Sequence, residues 1–479
     1  MASAGKRLTS FCMAALMLLT ILPITADAVS VEWSGTFNCH ENNNVTTTLL
    51  PYDPTSLEQS WCSPTGNNTI VIVDDAIYTY NGINPELWAS YEDGGTFYKL
   101  DADTGEVLQS VSCDYGTTFY YSYSIYANGL ICVGCPTVIL AFDPETCELV
   151  WETPVTERYY STLQYINGCI VSNGTVLNAD TGKVIAEIDG KWGGGWSNGV
   201  EIGDCFYIAD ATESLLVVDT NTWTVADTID SGLSAGTSCP GVVYYQGCLY
   251  WGGINGNFYR AEIGEDGLLN ESAWKTTVSG IKCYGTPVAA NDRVYLAGMT
   301  TNTATTNTGT IAICVFSADT AEMIYMTNSD VTGKIQSTPL LCDEGSSVRV
   351  YVQGYKKPGI VYFLEDTPTQ TGGSLTDLIV PDKSQYAWEQ LACDAEGAIY
   401  CSNDAGYLMK YQNKLVKGDA NGDGQLDLQD AALLSQYLAG WNVEIRQETA
   451  DVNGDGSITI GDVAQIRRYL AGWDVSLFR

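Results

Sequence analysis

Residues 417–441 read KGDANGDGQLDLQDAALLSQYLAGW and residues 450–473 read ADVNGDGSITIGDVAQIRRYLAGW, so the C-terminal part of the chain contains one motif twice. The copies are offset by 32 residues (451 − 419), as Asp419 and Asp451 illustrate. Each copy places oxygen-bearing side chains at alternate positions, with Gly424 or Gly456 where the chain must turn sharply. Both copies end in Tyr-Leu-Ala-Gly-Trp. This repetition predicts two similar small units in tandem.

The alternating oxygen positions match an EF-hand calcium loop, which takes ligands from loop positions 1, 3, 5, 7, 9 and 12. The residues at those positions in the first copy are Asp419, Asn421, Asp423, Gln425, Asp427 and Asp430. Those in the second copy are Asp451, Asn453, Asp455, Ser457, Thr459 and Asp462. Gln425 and Ser457 would each contribute a backbone carbonyl. The alternative, two acidic turns without metal, requires chance to place the ligands twice in one register.

Each loop is followed by an amphipathic segment that predicts a helix, over residues 431–439 and 463–471. Gly440 and Gly472 come where a helix C-cap in the left-handed conformation is expected. A complete EF-hand also has a helix before the loop and Glu at position 12. Here no entering helix is predicted, and position 12 is Asp430 or Asp462.

These two departures, together with the duplication, make residues 415–479 resemble a dockerin, the module that attaches proteins to cellulosomes. The resemblance implies two Ca²⁺ ions and a cohesin partner on a scaffoldin. In this family, cohesin is contacted by loop positions 10 and 11 and by the following helix. The corresponding residues are Leu428, Gln429, Ser435 and Gln436 in the first copy and Ile460, Gly461, Arg467 and Arg468 in the second.

The N-terminal residues have the features of an export signal. Lys6 and Arg7 precede an apolar run over residues 11–24, and Ala26-Asp27-Ala28 offers small residues for cleavage. This pattern predicts a secretory signal peptide over residues 1–28 and an extracellular mature protein. No later segment approaches twenty consecutive apolar residues, so no membrane span is predicted.

The charge balance excludes one class of partner. The chain has 57 Asp and Glu against 22 Lys and Arg, a formal net charge of −35, and a single histidine. Nucleic acid binding needs clustered basic residues, so it is not expected. One histidine also cannot supply a histidine-rich zinc site.

Sixteen cysteines in an exported chain raise the question of disulfides. Cys132, Cys169, Cys205 and Cys248 each fall in the same strand of successive repeats, where a small apolar residue suits a core. We therefore expect mostly reduced, buried thiols. Disulfides between Cys39 and Cys62 or between Cys132 and Cys135 remain the alternatives.

Residues 29–414 contain degenerate repeats rich in β-branched and aromatic residues. A turn followed by an apolar strand occurs eight times, beginning near residues 75, 128, 167, 203, 246, 291, 347 and 396. An Asp-x-x-Thr or related turn follows most of them, as in Leu100-Asp101-Ala102-Asp103-Thr104-Gly105, and an X-Pro step such as Thr286-Pro287 precedes several. A unit of four strands in about 40 to 50 residues is a propeller blade.

The sequence therefore predicts an all-β propeller of about eight four-stranded blades, with seven possible, followed by a small all-α domain. The X-Pro and Asp-x-x-Thr-Gly pattern resembles the pyrroloquinoline-quinone-like repeat family. Quinone-dependent dehydrogenases of that family use a disulfide between adjacent cysteines, and no Cys-Cys pair occurs here, so no quinone is expected. We interpret the Asp and Thr residues as closing the turn by local hydrogen bonds.

Two further expectations concern the ends of the propeller. The last repeat, over residues 389–413, lacks its outer strand, and that edge must be paired. Val31–Trp33 is the candidate. A short linker over residues 414–417 is expected to leave the C-terminal domain free to swing.

Several connections from an outer strand to the next inner strand carry aromatic residues. The candidates for stacking on sugar rings are Tyr120, Tyr160, Trp192, Trp196, Tyr284 and Trp388. The alternative is that these rings pack between blades. The same connections contain the basic residues Arg158, Lys191, Lys282 and Lys334, which would meet uronate carboxylates or balance local charge.

Three functions remain open for the propeller. It is a glycan-binding or adhesion module of a polysaccharide-degrading assembly, or it is itself a polysaccharide lyase or glycoside hydrolase, or it is a structural protein-interaction module. Hydrolases and lyases need paired carboxylates or a basic side chain at a cleft. With so many acidic residues, the sequence does not select a catalytic pair.

Overall fold

The computed structural model describes residues 30–35, 43–66, 69–84, 89–90, 94–115, 123–156, 162–192, 194–195, 198–236, 238–270, 274–300, 309–387, 390–473, 475 and 477. The predicted signal peptide and Cys39 lie outside these residues. None of the helices in the described ranges is both long and apolar enough to cross a membrane.

Eight antiparallel sheets, each built on four strands, follow one another along the chain as the blades of a propeller. Blade 1 consists of Val71–Val73, Ala76–Asn81, Gly95–Asp101 and Val107–Cys113. Blade 2 consists of Tyr123–Ala127, Leu130–Gly134, Val138–Phe142 and Leu149–Pro154. Blade 3 consists of Gln164–Ile166, Cys169–Ser172, Thr175–Asn178 and Val184–Glu187. Blade 4 consists of Val200–Ile202, Cys205–Ala209, Leu215–Asp219 and Thr224–Ile229.

The remaining blades follow the same order from inner to outer strand. Blade 5 consists of Val242–Tyr245, Cys248–Gly252, Asn257–Glu262 and Lys275–Val278. Blade 6 consists of Val288–Ala290, Arg293–Thr300, Ile311–Ser317 and Met323–Met326. Blade 7 consists of Leu340–Asp343, Val348–Tyr355, Val361–Asp366 and Thr376–Ile379. Blade 8 consists of Ala392–Cys393, Ile399–Ser402, Leu408–Asn413 and, as its outer strand, Leu57–Ser63. The predicted number of eight is confirmed, and seven is wrong.

Short additional strands extend some blades. Val45–Thr46 pairs with the inner strand of blade 7, Ile281–Cys283 with the second strand of blade 6, and Lys334–Ile335 with the second strand of blade 7. Two further pairs are Ile83–Asn84 with Ala89–Ser90, and Gly194–Gly195 with Ser238–Cys239.

The strand that closes the ring differs from the predicted one. Val31–Trp33 pairs with Val71–Val73 at the inner edge of blade 1, not with blade 8. The outer edge of blade 8 is covered by Leu57–Ser63, which runs antiparallel to Leu408–Asn413. The prediction that the last repeat needs a strand from the start of the propeller is confirmed, but the choice of Val31–Trp33 is wrong. The seven residues of Leu57–Ser63 pair with the whole length of Leu408–Asn413, whereas Val31–Trp33 has only three residues.

The Asp-x-x-Thr turns are closed by their own side chains, as predicted. The Asp101 carboxylate accepts hydrogen bonds from the backbone N–H and the hydroxyl of Thr104, both at 2.8 Å. Asp143 and Thr146 form the same pair in blade 2. The glycine that ends the motif has a packing role, since Gly105 has φ +69° and a Cβ there would lie 2.6 Å from the Trp61 ring.

The hydrophobic core lies between neighbouring blades. Ile139 and Trp151 of blade 2 cluster with Ile170 and Leu177 of blade 3, and corresponding clusters join the other neighbours. Aromatic stacking adds to this burial, with 4.0 Å between the ring centroids of Phe258 in blade 5 and Phe316 in blade 6. Each fully buried side chain of this size stabilises the fold by about 1.5–3 kcal/mol.

Cysteines contribute to this core as small apolar residues. Thirteen cysteines with described side chains are free, including Cys132 and Cys135. Cys132, Cys169 and Cys248 are buried in the second strands of blades 2, 3 and 5, whereas Cys205 in blade 4 is half-buried.

Three helices follow the propeller. Helix α1 spans Leu428–Leu438, the single turn α2 spans Gln447–Ala450, and α3 spans Ile460–Leu470. Their own core contains Ala420, Ala431, Leu434, Ala450, Val452, Val463 and Ile466 and no buried propeller residue.

We predict that Trp61→Ala destabilises the propeller by about 3–5 kcal/mol, because a buried indole is lost from the strand that closes the ring. Trp61 is 8% exposed and donates its indole N–H to the carbonyl of Ala102 at 3.1 Å. Urea unfolding followed by circular dichroism would measure the loss. The control is Trp473→Ala, since this side chain is 62% exposed. Equal shifts for both variants would contradict a closing role for Trp61.

Candidate functional site

The first acidic loop is wound around the carboxylates at its positions 1 and 12. Asp419 accepts hydrogen bonds from the N–H groups of Gly422 at 2.7 Å and Gly424 at 2.8 Å. Asp430 accepts from Ala420 at 2.9 Å and from Asp427 at 2.8 Å. The carboxylates therefore hold the loop backbone in a closed turn.

The second loop has the same hydrogen bonds 32 positions later (451 − 419). Asp451 accepts from Gly454 and Gly456, each at 2.8 Å. Asp462 accepts from Val452 at 3.0 Å and from Thr459 at 2.8 Å. The repetition in the sequence is therefore a repetition in backbone conformation.

In both loops, the side chains at positions 3 and 5 each accept a hydrogen bond from the N–H group two residues later. The amide oxygen of Asn421 accepts from Asp423, and that of Asn453 accepts from Asp455, at 3.0 and 2.8 Å. The carboxylates at position 5 accept from position 7, so Asp423 binds the N–H of Gln425 and Asp455 binds that of Ser457, both at 2.9 Å. The Gln425 and Ser457 side chains are exposed, which leaves position 7 to act through its carbonyl.

Position 9 of each loop is also the N-cap of the helix that follows. Asp427 caps α1 by accepting the N–H of Gln429, and Thr459 caps α3 by accepting that of Gly461. Asp430 and Asp462 complete capping boxes. The helices therefore begin three residues earlier than predicted (431 − 428 and 463 − 460). Gly440 and Gly472, with φ +78° and +75°, follow the helix ends as predicted.

The first loop concentrates negative charge away from water. Asp419 and Asp430 are buried, and Asp423 is nearly so. Burial, followed by the neighbouring carboxylates of Asp430 and Asp423, raises the pKa of Asp419 to about 6. Burial also raises the pKa of Asp430. A cation among these oxygens would offset this unfavourable crowding.

The donor set suits a hard cation. No three carboxylate, thiol or imidazole groups within the described ranges converge closely enough to hold a metal by themselves. A loop of this type does not require that, because it also uses amide, hydroxyl and backbone carbonyl oxygens. Those oxygens are present at Asn421, Asn453, Thr459 and position 7.

A second region of interest is one end of the propeller ring. In an antiparallel blade, the connection from the outer strand to the next blade leaves from the same end as the turn between the second and third strands. We call this end the mouth. Of the six aromatic residues proposed for glycan stacking, Trp192 and Tyr284 belong to described connections at the mouth. Tyr120, Tyr160, Trp196 and Trp388 lie outside the described residues.

The two described aromatics have different surroundings. Trp192 is half-buried between blades 3 and 4 and donates its indole N–H to the carbonyl of Ile188 at 3.0 Å. Tyr284 is half-buried beside Lys334, whose ammonium lies 5.3 Å from the centroid of the Tyr284 ring. Trp192 thus packs within the wall of the ring, the alternative that the sequence left open, while Tyr284 contacts a cation.

The C-terminal geometry agrees with a known family. Residues 417–471 match the model of the Dockerin type I domain. This segment is a dockerin. Dockerins bind calcium and pair with cohesin in cellulosome-type assemblies. No curated protein matches the chain as a whole.

Solved structures resemble the chain in the fold of the propeller. BamB from Moraxella catarrhalis has 12% identity and a TM-score of 0.53 over 74% of this chain and 99% of its own. A europium-containing methanol dehydrogenase has 11% identity and a TM-score of 0.53 over 77% and 89%. A quinohemoprotein alcohol dehydrogenase from Pseudomonas putida HK5 has 11% identity and a TM-score of 0.52 over 92% and 95%. The propeller therefore shares its fold with these structures.

The dockerin exposes residues of both repeats on its helices. Leu428 and Ile460, at the starts of α1 and α3, are 66% and 70% exposed. Gln429, Gly461, Arg467 and Arg468 are also exposed, and Ser435 and Gln436 are half-buried. Arg467 lies 3.5 Å from the hydroxyl of Ser435, its counterpart in the other repeat, so equivalent positions meet where α1 and α3 pack.

Two exposed tryptophans were not among the predicted contacts. Trp441 and Trp473 follow the helices and are 63% and 62% exposed. The guanidinium of Arg468 lies 5.8 Å from the Trp473 ring. The repeated Tyr-Leu-Ala-Gly-Trp was the signal for them, since large apolar residues retained on a surface in both copies mark a contact region.

The dockerin is held against blade 8 instead of swinging freely as predicted. The Asn413 side chain donates to the carbonyl of Gly422 in the first loop at 2.9 Å. The hydroxyl of Ser56 donates to the Asn413 amide oxygen at 3.2 Å, and the N–H of Lys414 donates to the backbone carbonyl of Ser56 at 2.8 Å. The first loop therefore lies next to the strand that closes the ring, because only the short segment 414–418 separates Asn413 from Asp419.

Proposed function

We propose that this protein is an exported, non-catalytic component of a cellulosome-type assembly, in which the dockerin attaches the propeller to a cohesin and the propeller binds glycan. The observation that carries this proposal is the pair of acidic loops with identical hydrogen-bonding patterns, each leading into a capped helix. The predicted signal peptide over residues 1–28 would deliver the protein outside the cell, with the propeller over residues 29–414 and the dockerin over residues 415–479.

Each loop would hold one Ca²⁺ ion. In the first, the ligands would be Asp419, Asn421, Asp423, Asp427, Asp430 and the carbonyl of Gln425. In the second, they would be Asp451, Asn453, Asp455, Thr459, Asp462 and the carbonyl of Ser457. The ion would offset the repulsion between the buried carboxylates of the first loop and would fix the capping residues at the starts of α1 and α3.

The cohesin would cover the exposed side chains of α1 and α3. Leu428 and Ile460 supply apolar contacts, and Arg467 and Arg468 supply positive charge on an otherwise acidic chain. Arginine, tryptophan and tyrosine side chains carry much of the binding energy in protein interfaces. Trp441 and Trp473 would extend the contact at the helix ends.

Glycan binding by the propeller is supported by the position of its aromatic residues. Tyr284 lies in a connection at the mouth and is half-buried, so a sugar ring could stack on its exposed part. Tyr284 is the described residue of the predicted set that suits this role, since Trp192 packs inside the wall. In contrast, no described group of side chains favours a lyase or hydrolase.

We predict that Asp419→Ala with Asp451→Ala weakens calcium binding by about tenfold or more at each loop, because position 1 loses its carboxylate. Isothermal titration calorimetry of the full chain with Ca²⁺ would measure the loss of affinity. The melting transition of the propeller should stay unchanged, since the dockerin has a separate core. Asp103→Ala with Asp319→Ala, two exposed acids of the propeller, is the charge-matched control. Undiminished calcium uptake would refute the ligand assignment.

We predict that Arg467→Ala with Arg468→Ala raises the Kd for a cohesin partner by about tenfold or more and leaves calcium binding intact. The measurement is surface plasmon resonance against immobilised cohesins. Lys183→Ala with Lys275→Ala removes the same charge from exposed positions on the propeller and serves as the control. Unchanged affinity in the arginine variant would assign the contact to Leu428, Gln429, Ser435 and Gln436.

We predict that the full chain is retained on immobilised polysaccharide without cleaving it. Retention is compared across a panel of plant polysaccharides, and cleavage is followed by reducing ends and by the ultraviolet absorbance of unsaturated products. Product release above a heat-denatured control would establish the enzymatic alternative. If the chain binds cohesin but is not retained on any polysaccharide, the propeller would be interpreted as a protein-interaction module.

A further inference from the structure

The mouth of the propeller over blades 6 to 8 has a distinct composition. It is formed by the connections into blades 6, 7 and 8, together with the turns between the second and third strands of blades 7 and 8. These segments are bound to one another, since the N–H of Gln385 donates to Pro358 at 3.3 Å and that of Asp404 to Tyr386 at 2.9 Å. Lys334 also pairs with Tyr355 in the blade 7 sheet. The surface is therefore supported by the blades themselves.

Lysines and tyrosines contact one another along this surface. The ammonium of Lys334 lies 5.3 Å from the ring centroid of Tyr284 and 4.8 Å from that of Tyr355. The Tyr355 ring lies 5.1 Å from Tyr386, and the ammonium of Lys357 lies 5.5 Å from Tyr386. We call these five residues the lysine–tyrosine row. It crosses from blade 6 to blade 8.

The positive charge of the row is unusual for this chain. Only 22 of the 479 residues are basic, against 57 acidic ones. Lys334, Lys356 and Lys357 nonetheless lie together, and Lys383 follows nearby with its ammonium 4.8 Å from the Tyr407 ring. Among residues that the structure describes, no carboxylate forms an ion pair with Lys334, Lys356 or Lys383.

Lys334 in particular is prepared for an anion that the protein does not supply. Its ammonium is flanked by two aromatic faces, which stabilise the cation but provide no counter-charge. Burial lowers the pKa of Lys334. A carboxylate brought by a ligand would offset that desolvation and form a charge-assisted hydrogen bond.

We propose that the lysine–tyrosine row, together with the adjoining Lys356, binds an acidic polysaccharide. In such a chain of uronate sugars, the carboxylates pair with the lysines while sugar rings stack on Tyr355 and Tyr386. This inference rests on the proposed glycan-binding function and names its substrate class. The row suits a polymer because it is open: Tyr386 is 37% exposed, and Lys356 and Lys357 are exposed. The row offers cations for the carboxylates of such a polymer and aromatic rings for its sugar faces.

The test uses calorimetry of the full chain with polygalacturonate and with its fully methyl-esterified form, which has the same backbone without charge. We expect binding to polygalacturonate to be at least about tenfold tighter and to weaken with added salt, because exposed charges are screened. Lys356→Ala with Lys357→Ala should reduce the affinity at least about tenfold, and both side chains are exposed, so the fold is retained. Adding either Lys334→Met or Tyr386→Ala to this double variant should reduce the affinity for polygalacturonate further.

The control is Lys183→Ala with Lys275→Ala, which changes net charge equally but lies away from the mouth and should leave the affinity unchanged. Equal affinity for the acid and the ester, or no effect of the lysine variants, would overturn the proposal while leaving glycan binding in place. Binding of polyglutamate as tightly as polygalacturonate would instead identify an acidic polypeptide partner and also overturn it. Failure of every polysaccharide to bind would refute glycan binding itself.

Discussion

Backbone hydrogen bonds between Leu57–Ser63 and Leu408–Asn413 join the two ends of the propeller sequence. Without this pairing, blade 8 would expose an edge of unpaired N–H and C=O groups. The same strand carries Trp61, which packs over Gly105 of blade 1 and binds the carbonyl of Ala102. One strand therefore completes the last blade and fixes it against the first. Asn413, the final residue of the paired edge, also binds the first acidic loop of the dockerin.

The sequence predicted most of this architecture because its signals are local. A turn followed by an apolar strand occurs once in each blade, so counting these repeats along the sequence yields eight blades. The closing strand could not be found in this way. Leu57–Ser63 meets a partner far along the chain, with Gln59 and Tyr411 separated by 352 positions, and nothing in its own residues specifies that partner. Val31–Trp33 has a similar apolar pattern, but it covers the inner edge of blade 1 instead.

The two candidate sites also differ in whether their residues lie close together in the sequence. A calcium loop is contained within twelve residues, so spacing alone is enough to predict which positions would supply its ligands. The helix starts were misplaced because Asp427 and Thr459 serve both as loop positions and as helix caps. The lysine–tyrosine row is assembled from separate connections, so the sequence pointed to Tyr284 and Lys334 as separate candidates and not as parts of one surface. Their neighbours Tyr355, Tyr386 and Lys357 depend on the order in which blades follow around the ring.

The position of the closing strand has a kinetic consequence. During synthesis, Leu57–Ser63 emerges early and must remain without its partner until residues 408–413 appear. Contacts between such distant segments form slowly, because a long loop must close before the contact is gained. The dockerin follows directly, so the part of the protein that recruits it to an assembly becomes available only when the ring is able to close. Chains whose synthesis stops early would lack the dockerin and could not be incorporated into such an assembly.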